Sequence, residues 1–262
     1  MLRVDEPHYK KNMLRLALFI GELMLSNGAE TYRVEDTLKR ICKSRGFNHI
    51  NVFITPTVII ISDDRFDGYS FMKTINRRAI NLGRIALIND FSRDFVKNTD
   101  MTIEDSMARL KEIASFNAYP TWLIYVFTGL GSASFAYLVG GNTTFDFVLT
   151  FLVSIVAAIV YDQLIKISYI PTFCCLISSI LMAASGVMLT ELGFLTTPKM
   201  LIVGSIMPLL PGVPFIKGVR DLIAGDLMSG VVRFFDATII FISIAAGVGF
   251  VLEMWFRMGG AL

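Results

Sequence analysis

Histidine and cysteine are scarce in this chain. It has two histidines, His8 and His49, and three cysteines, Cys42, Cys174 and Cys175, among 262 residues. Two histidines exclude a histidine-based metal cluster. An odd cysteine count without C-x-x-C spacing excludes a disulfide framework or a zinc site as the default. The phosphate loop GxxxxGK[ST] is absent, as are HExxH and GxSxG, so ATP hydrolysis and metallo- or serine-hydrolase chemistry have no motif to stand on. No catalytic residue, metal or cofactor is therefore expected. A net charge of +2 is too small to argue for nucleic acid. No basic-then-apolar leader opens the chain, so no secretory signal is expected.

Charge is also missing from one half. Residues 1–116 hold 18 of the 24 Lys and Arg and 15 of the 22 Asp and Glu; the remaining 146 residues hold 6 and 7. Apolar residues make up 54% of the whole, which is high for a soluble protein. The expected fold is an α-helical membrane protein. A small α+β soluble domain, 1–116, precedes a transmembrane domain, 117–262, of five helices.

In the first part, 12–26 reads as a helix apolar nearly all round, too short and too polar with Arg15 and Glu22 to cross a bilayer. Residues 30–43 read as an amphipathic helix with Val34, Leu38, Ile41 and Cys42 on one face. The β-branched runs 50–55 and 57–62 read as strands around Pro56, with a polar turn from Asp63 to Gly68 and a third strand over 69–75. Residues 82–96 read as a helix, and Thr102-Ile-Glu-Asp105 as the capping box of another.

In the second part the expected spans are 121–139, 145–165, 169–189, 200–219 and 229–256, the first four near the ~20 residues needed to cross and the fifth longer. The loop 140–144 lacks Lys and Arg, whereas Lys166 follows the second span, Lys217 and Arg220 lie at the end of the fourth and Arg233 just beyond, near the start of the fifth. The positive-inside rule then puts the soluble domain in the cytoplasm and the C-terminus outside. Asp162, Lys217 and Glu253 read as interfacial. Small residues recur along the spans, such as Gly129, Ser132 and Ala133 or Ser178, Ser179 and Ala183, and read as close helix packing in lipid.

The stretch 207–233 breaks this pattern. It places Pro208, Pro211, Gly212 and Pro214 in an apolar span and follows them with Lys217, Arg220, Asp221, Asp226 and Arg233, with Asp236 beyond. Each proline deletes a donor and robs the carbonyl four residues back of its partner, here Gly204, Met207 and Leu210. Such groups are tolerated at membrane depth only where buried in protein or lining a wet cavity. The prolines with Gly212 are therefore expected to form a helix break. Arg220, Asp221, Asp226, Arg233 and Asp236 are the candidate substrate or proton path.

Several of these segments carry a resemblance: Pro211-Gly-Val-Pro214, Val219-Arg-Asp-Leu222, Gly225-Asp226, Gly230 followed by Arg233, Gly28-Ala-Glu-Thr-Tyr-Arg-Val-Glu-Asp36, and the run 81–89. Together they resemble the threonine/serine exporter family of bacterial membrane proteins. Single-chain members have about twice as many spans, so the chain is similar to the larger subunit of the split form. There a second, small integral membrane subunit works alongside. The resemblance implies a prokaryotic inner-membrane transporter that exports a small polar metabolite, threonine/serine or a dicarboxylate such as succinate, under an ion gradient and as an oligomer. It also implies a carboxylate cargo for Arg220 and Arg233 to meet. Two other readings compete: a membrane-anchored scaffold or sensor without transport, and a membrane-tethered hydrolase, for which neither histidine has a recognisable setting.

Overall fold

The computed structural model describes residues 7–65, 68–75, 79–116, 119–140 and 144–260. Part of the polar turn after Asp63, the junction at 117–118 and most of the loop between the first two spans lie outside the described residues. The chain divides into two units, one of residues 1–118 with 224–232, the other of residues 119–223 with 233–262.

In the first unit α1 (Pro7–Ser26) is the central helix. Met13, Leu14, Leu16, Ala17, Ile20 and Met24 are all buried. The helix starts earlier than its apolar run because Pro7 suits a first helical turn, which lets polar residues precede the core-facing ones. α2 (Thr31–Ser44) buries Val34, Leu38, Ile41 and Cys42. β1 (Ile50–Ile54), β2 (Val58–Asp63) and β3 (Ser70–Thr74) form an antiparallel sheet in the order β1-β2-β3. The central strand alternates strictly, with Ile59, Ile61 and Asp63 inward, the period-two pattern of a half-buried strand. Pro56 sits in the β1–β2 turn, where the ladder needs no donor from it.

α3 (Leu82–Lys97) is capped by Asn81, whose side chain accepts from Arg84 N, and α4 (Ile103–Ser115) by Thr102, whose hydroxyl accepts from Asp105 N at 3.1 Å. The Asp105 carboxylate accepts from the Thr102 hydroxyl at 2.7 Å, a side-chain contact in place of the capping box's return bond to the Thr102 backbone N–H. Arg45 ties α2 to the α3–α4 connection. Its guanidinium lies 4.0 Å from the Phe95 ring centroid and donates to the Asn98 carbonyl at 2.8 Å. Two titratable groups are buried beside one another. Burial, helped by Asp63, pushes the Cys42 thiol up to about 12. Burial opposes the Asp63 carboxylate too, yet hydrogen bonds and charge from Arg65 hold it below its ordinary range.

The second unit is inverted relative to a soluble bundle. α5 (Thr121–Val139) buries Gly129, Ser132, Ala133 and Ala136; α6 (Thr144–Ser168) buries Thr150, Ser154 and Ala157; α7 (Pro171–Glu191) buries cysteines, serines and small residues. Large residues such as Phe127, Leu138, Leu152, Val156 and Ile242 point out. Small residues inside and bulky apolar ones outside is the order that lipid requires, since packing rather than water exclusion joins the helices. α8 (Lys199–Ile206) brings Gly204 against α5, where an added Cβ would lie 2.8 Å from the Ser132 carbonyl. α10 (Leu227–Arg257) is the longest helix. α5, α6, α7 and α10 are each long and apolar enough to cross a membrane, and the bent pair described next makes up to five spans. The third span begins at Pro171 rather than 169, because Tyr169 takes a left-handed φ of 57° that ends α6.

Candidate functional site

The fourth apolar stretch is two helices. α8 runs into a 3-10 turn, Met207–Leu209, and after Leu210 and Pro211 the chain resumes as α9 (Gly212–Ile223), bent by 56°. Pro208 lies in the turn, and Gly212 and Pro214 in the first turn of α9. The three carbonyls robbed by the prolines are not left idle. Gly204 O accepts from Met207 N, Met207 O from Leu210 N at 3.2 Å, and Leu210 O from Gly212 N at 2.9 Å. The carbonyls lack their usual helical partners, as the prolines lead one to expect, and the break tightens the backbone so that nearer donors replace them. Shorter-range donors step in, as they commonly do at helix ends.

Past the break, α9 carries Arg220 and Asp221 on its last turn. Asp221 is buried at 3% exposure. One oxygen lies 3.5 Å from Arg220 Nη2 and the other 3.4 Å from Nε of Arg233 on α10. Arg233 is itself mostly buried, whereas Arg220 is nearly half exposed. Phe215 of α9 packs its ring against Phe234 and Phe241 of α10 at 5.1 and 5.6 Å between centroids, so aromatic contacts hold the two helices that carry the charges. Asp236 stands one turn along α10 from Arg233, exposed.

Asp226 belongs to the first unit. It caps α10: one carboxylate oxygen accepts from Ser229 N at 3.2 Å, and its carbonyl accepts from Gly230 N at 2.9 Å. The other carboxylate oxygen accepts from the Thr31 hydroxyl at 2.9 Å, at the start of α2. A carboxylate suits a helix N-terminus on both hydrogen-bond and dipole grounds. The structure thus brings Arg220, Asp221 and Arg233 together and gives Asp226 a capping position shared with Thr31.

A second feature escaped the reading of the sequence. A cavity of about 270 Å³ lies among α5, α6, α7 and α8 and reaches Pro208 of the 3-10 turn. It occupies the half of the bundle where α5 and α7 begin and α6 and α8 end. Its polar lining includes Tyr125, Ser154, Tyr161, Asp162, Cys175 and Ser205. The Tyr125 hydroxyl donates to Asp162 at 2.7 Å, and Lys166 pairs with the same carboxylate at 2.8 Å. Ser154 is 1% exposed and its hydroxyl has no hydrogen-bond partner. The signal was present as Ser154, Ala158 and Asp162 at a four-residue spacing on α6, a small and polar stripe along one face.

The family model of the threonine/serine exporter, ThrE, matches residues 15–255. Among curated proteins, the chain is 26% identical over 255 residues to the "Probable succinate transporter subunit YjjP" of Klebsiella aerogenes, covering 96% of this chain and 97% of that one. The Escherichia coli protein of the same name is 24% identical, with 95% and 97% covered. The "Probable threonine/serine exporter" of Mycobacterium tuberculosis is 22% identical over 94% of this chain but only 46% of its own length. No solved structure matches.

Proposed function

The chain belongs to the threonine/serine exporter family, and from that premise we propose that it is the larger subunit of a split exporter. It moves a small polar metabolite, threonine or serine or a dicarboxylate such as succinate, out across a prokaryotic inner membrane. A second, small integral membrane subunit completes the path, in keeping with the word "subunit" in the names of its full-length relatives. An ion gradient drives the flux. The soluble domain faces the cytoplasm and the C-terminus faces outward, a reading that rests on the loop charges.

The observation that carries this reading is the buried Asp221–Arg233 pair beside the broken fourth span. Ionised residues inside membrane helices are costly and mark solute or ion paths by default, and transporter sites commonly form at discontinuous helices. Arg220 and Arg233 meet the carboxylate of the cargo, a geometry that suits a guanidinium fork. Asp221, Asp226 and Asp236 hold the arginines, receive an ammonium group or carry a proton.

The test is efflux of labelled threonine, serine and succinate from proteoliposomes, with and without the partner subunit and with and without an imposed proton or sodium gradient. The proposal expects gradient-dependent efflux of at least one of them only when both subunits are present. Full transport by the purified chain as a monomer would overturn the two-subunit form; no efflux under any condition would overturn the exporter.

A further inference from the structure

The cavity among α5–α8 has a chemical character distinct from the arginine cluster. Among its described lining residues the only ionisable charge is the carboxylate of Asp162; none of them is Lys, Arg or His. The rest of the polar surface is neutral hydroxyl and thiol, with the Tyr125 and Tyr161 rings. Lys166 reaches Asp162 from outside the cavity as a one-turn pair with a side chain 59% exposed, the kind of surface contact that contributes little and exchanges readily. Ser154, buried and without a partner, adds an oxygen committed to nothing in the protein. Other buried hydroxyls of this unit, such as Ser132 and Thr150, also lack a partner, but Ser154 is the one of them that lines the cavity, where it is available to a guest.

We propose that this cavity is a binding site for a small cationic group, with Asp162 as counter-charge and the Tyr125 and Ser154 hydroxyls as neutral ligands. A carboxylate with hydroxyl oxygens suits an ammonium group or a hard monovalent cation, and aromatic rings favour an ammonium further. A dicarboxylate would instead bring like charge against Asp162. The volume is below the usual range for drug-sized ligands and suits a solute of amino-acid size. The group is either the ammonium of an amino acid cargo or an inorganic coupling cation. The proposal deepens the transporter reading but is read by binding alone, without partner or gradient. Lost flux with intact binding would therefore indict the transport reading and leave this site standing.

The experiment is calorimetric titration of the full chain in detergent, in N-methylglucamine buffer. The probes are L-threonine, 3-hydroxybutyrate (which lacks the ammonium group) and sodium chloride. Binding of threonine but not 3-hydroxybutyrate identifies an ammonium site, and binding of sodium identifies an inorganic cation site; either supports the proposal. Asp162→Asn should then weaken that binding at least tenfold. Lys166→Met, which removes the surface pair and leaves the cavity intact, should preserve or tighten it. Equal losses in Asp162→Asn and Lys166→Met would reduce Asp162 to half of a structural ion pair and overturn the proposal. Absence of binding by both threonine and sodium would overturn it too. Should Asp162→Asn fail to fold, Ser154→Val decides, because it fills the wall without changing charge: weakened binding supports the site, unaltered affinity overturns it.

Discussion

Asp226 shows how one residue invites two readings. In the sequence it is an acid in apolar surroundings next to Arg233; in the structure it is the cap of α10 and the acceptor of the Thr31 hydroxyl. Asparagine is as good a cap as aspartate and keeps an acceptor oxygen. Asp226→Asn should therefore leave abundance in the membrane near that of the parent and abolish flux if the charge works in transport. Asp226→Ala should cost about 1 kcal/mol of stability; parallel immunoblots and melting curves distinguish the two. Asp63 belongs to a different kind of prediction. Its folded-state carboxylate is held low by Arg65 against burial, so it titrates below its unfolded value of about 3.9. The stability it contributes is present above that value and is lost as pH falls through the lower, folded one. The protection factors of the β2 amides in detergent, that is exchange rates corrected for the intrinsic pH dependence, should fall below about pH 4, and Asp63→Asn should flatten that dependence while weakening protection at pH 7. A variant with the parental acid profile would contradict the assignment.

The helices and strands were largely legible because burial imposes a period. α2 shows Val34, Leu38, Ile41 and Cys42 at helical spacing, and β2 alternates. The membrane helices are marked by length and hydropathy, so α5 falls at the expected 121–139. What could not be read depends on partners distant in sequence. The cavity arises where α5, α6, α7 and α8 converge, and nothing local to Asp162 says that Tyr125 will donate to it. Nor does a proline count reveal that Leu210 and Gly212 will satisfy the carbonyls it frees. Close packing at this scale is testable. Gly204 has no room for a side chain toward α5, because an added Cβ would lie 2.5 Å from the Ala136 Cβ and 2.8 Å from the Ser132 carbonyl, which is backbone and cannot swing away. Gly204→Val should separate α5 from α8 and lower the melting temperature in detergent, a cost of about 1–3 kcal/mol by analogy with overpacked cores. Gly131, with open space around its Cβ position, should accept alanine with little change.

The whole molecule comprises an α+β unit cored by α1 and a unit of helices whose small residues face in and large ones face out. Family membership makes it a transporter by kinship, and the proposed path of the cargo runs by the buried Asp221–Arg233 pair. The measurement that bears on this most directly is flux and abundance in the same membranes for the Arg233→Gln and Asp226→Asn double mutant, with the partner subunit present. The account predicts flux lost with abundance near that of the parent. Normal flux through the well-folded double mutant would contradict it, as would a fall in flux that merely tracks a fall in abundance.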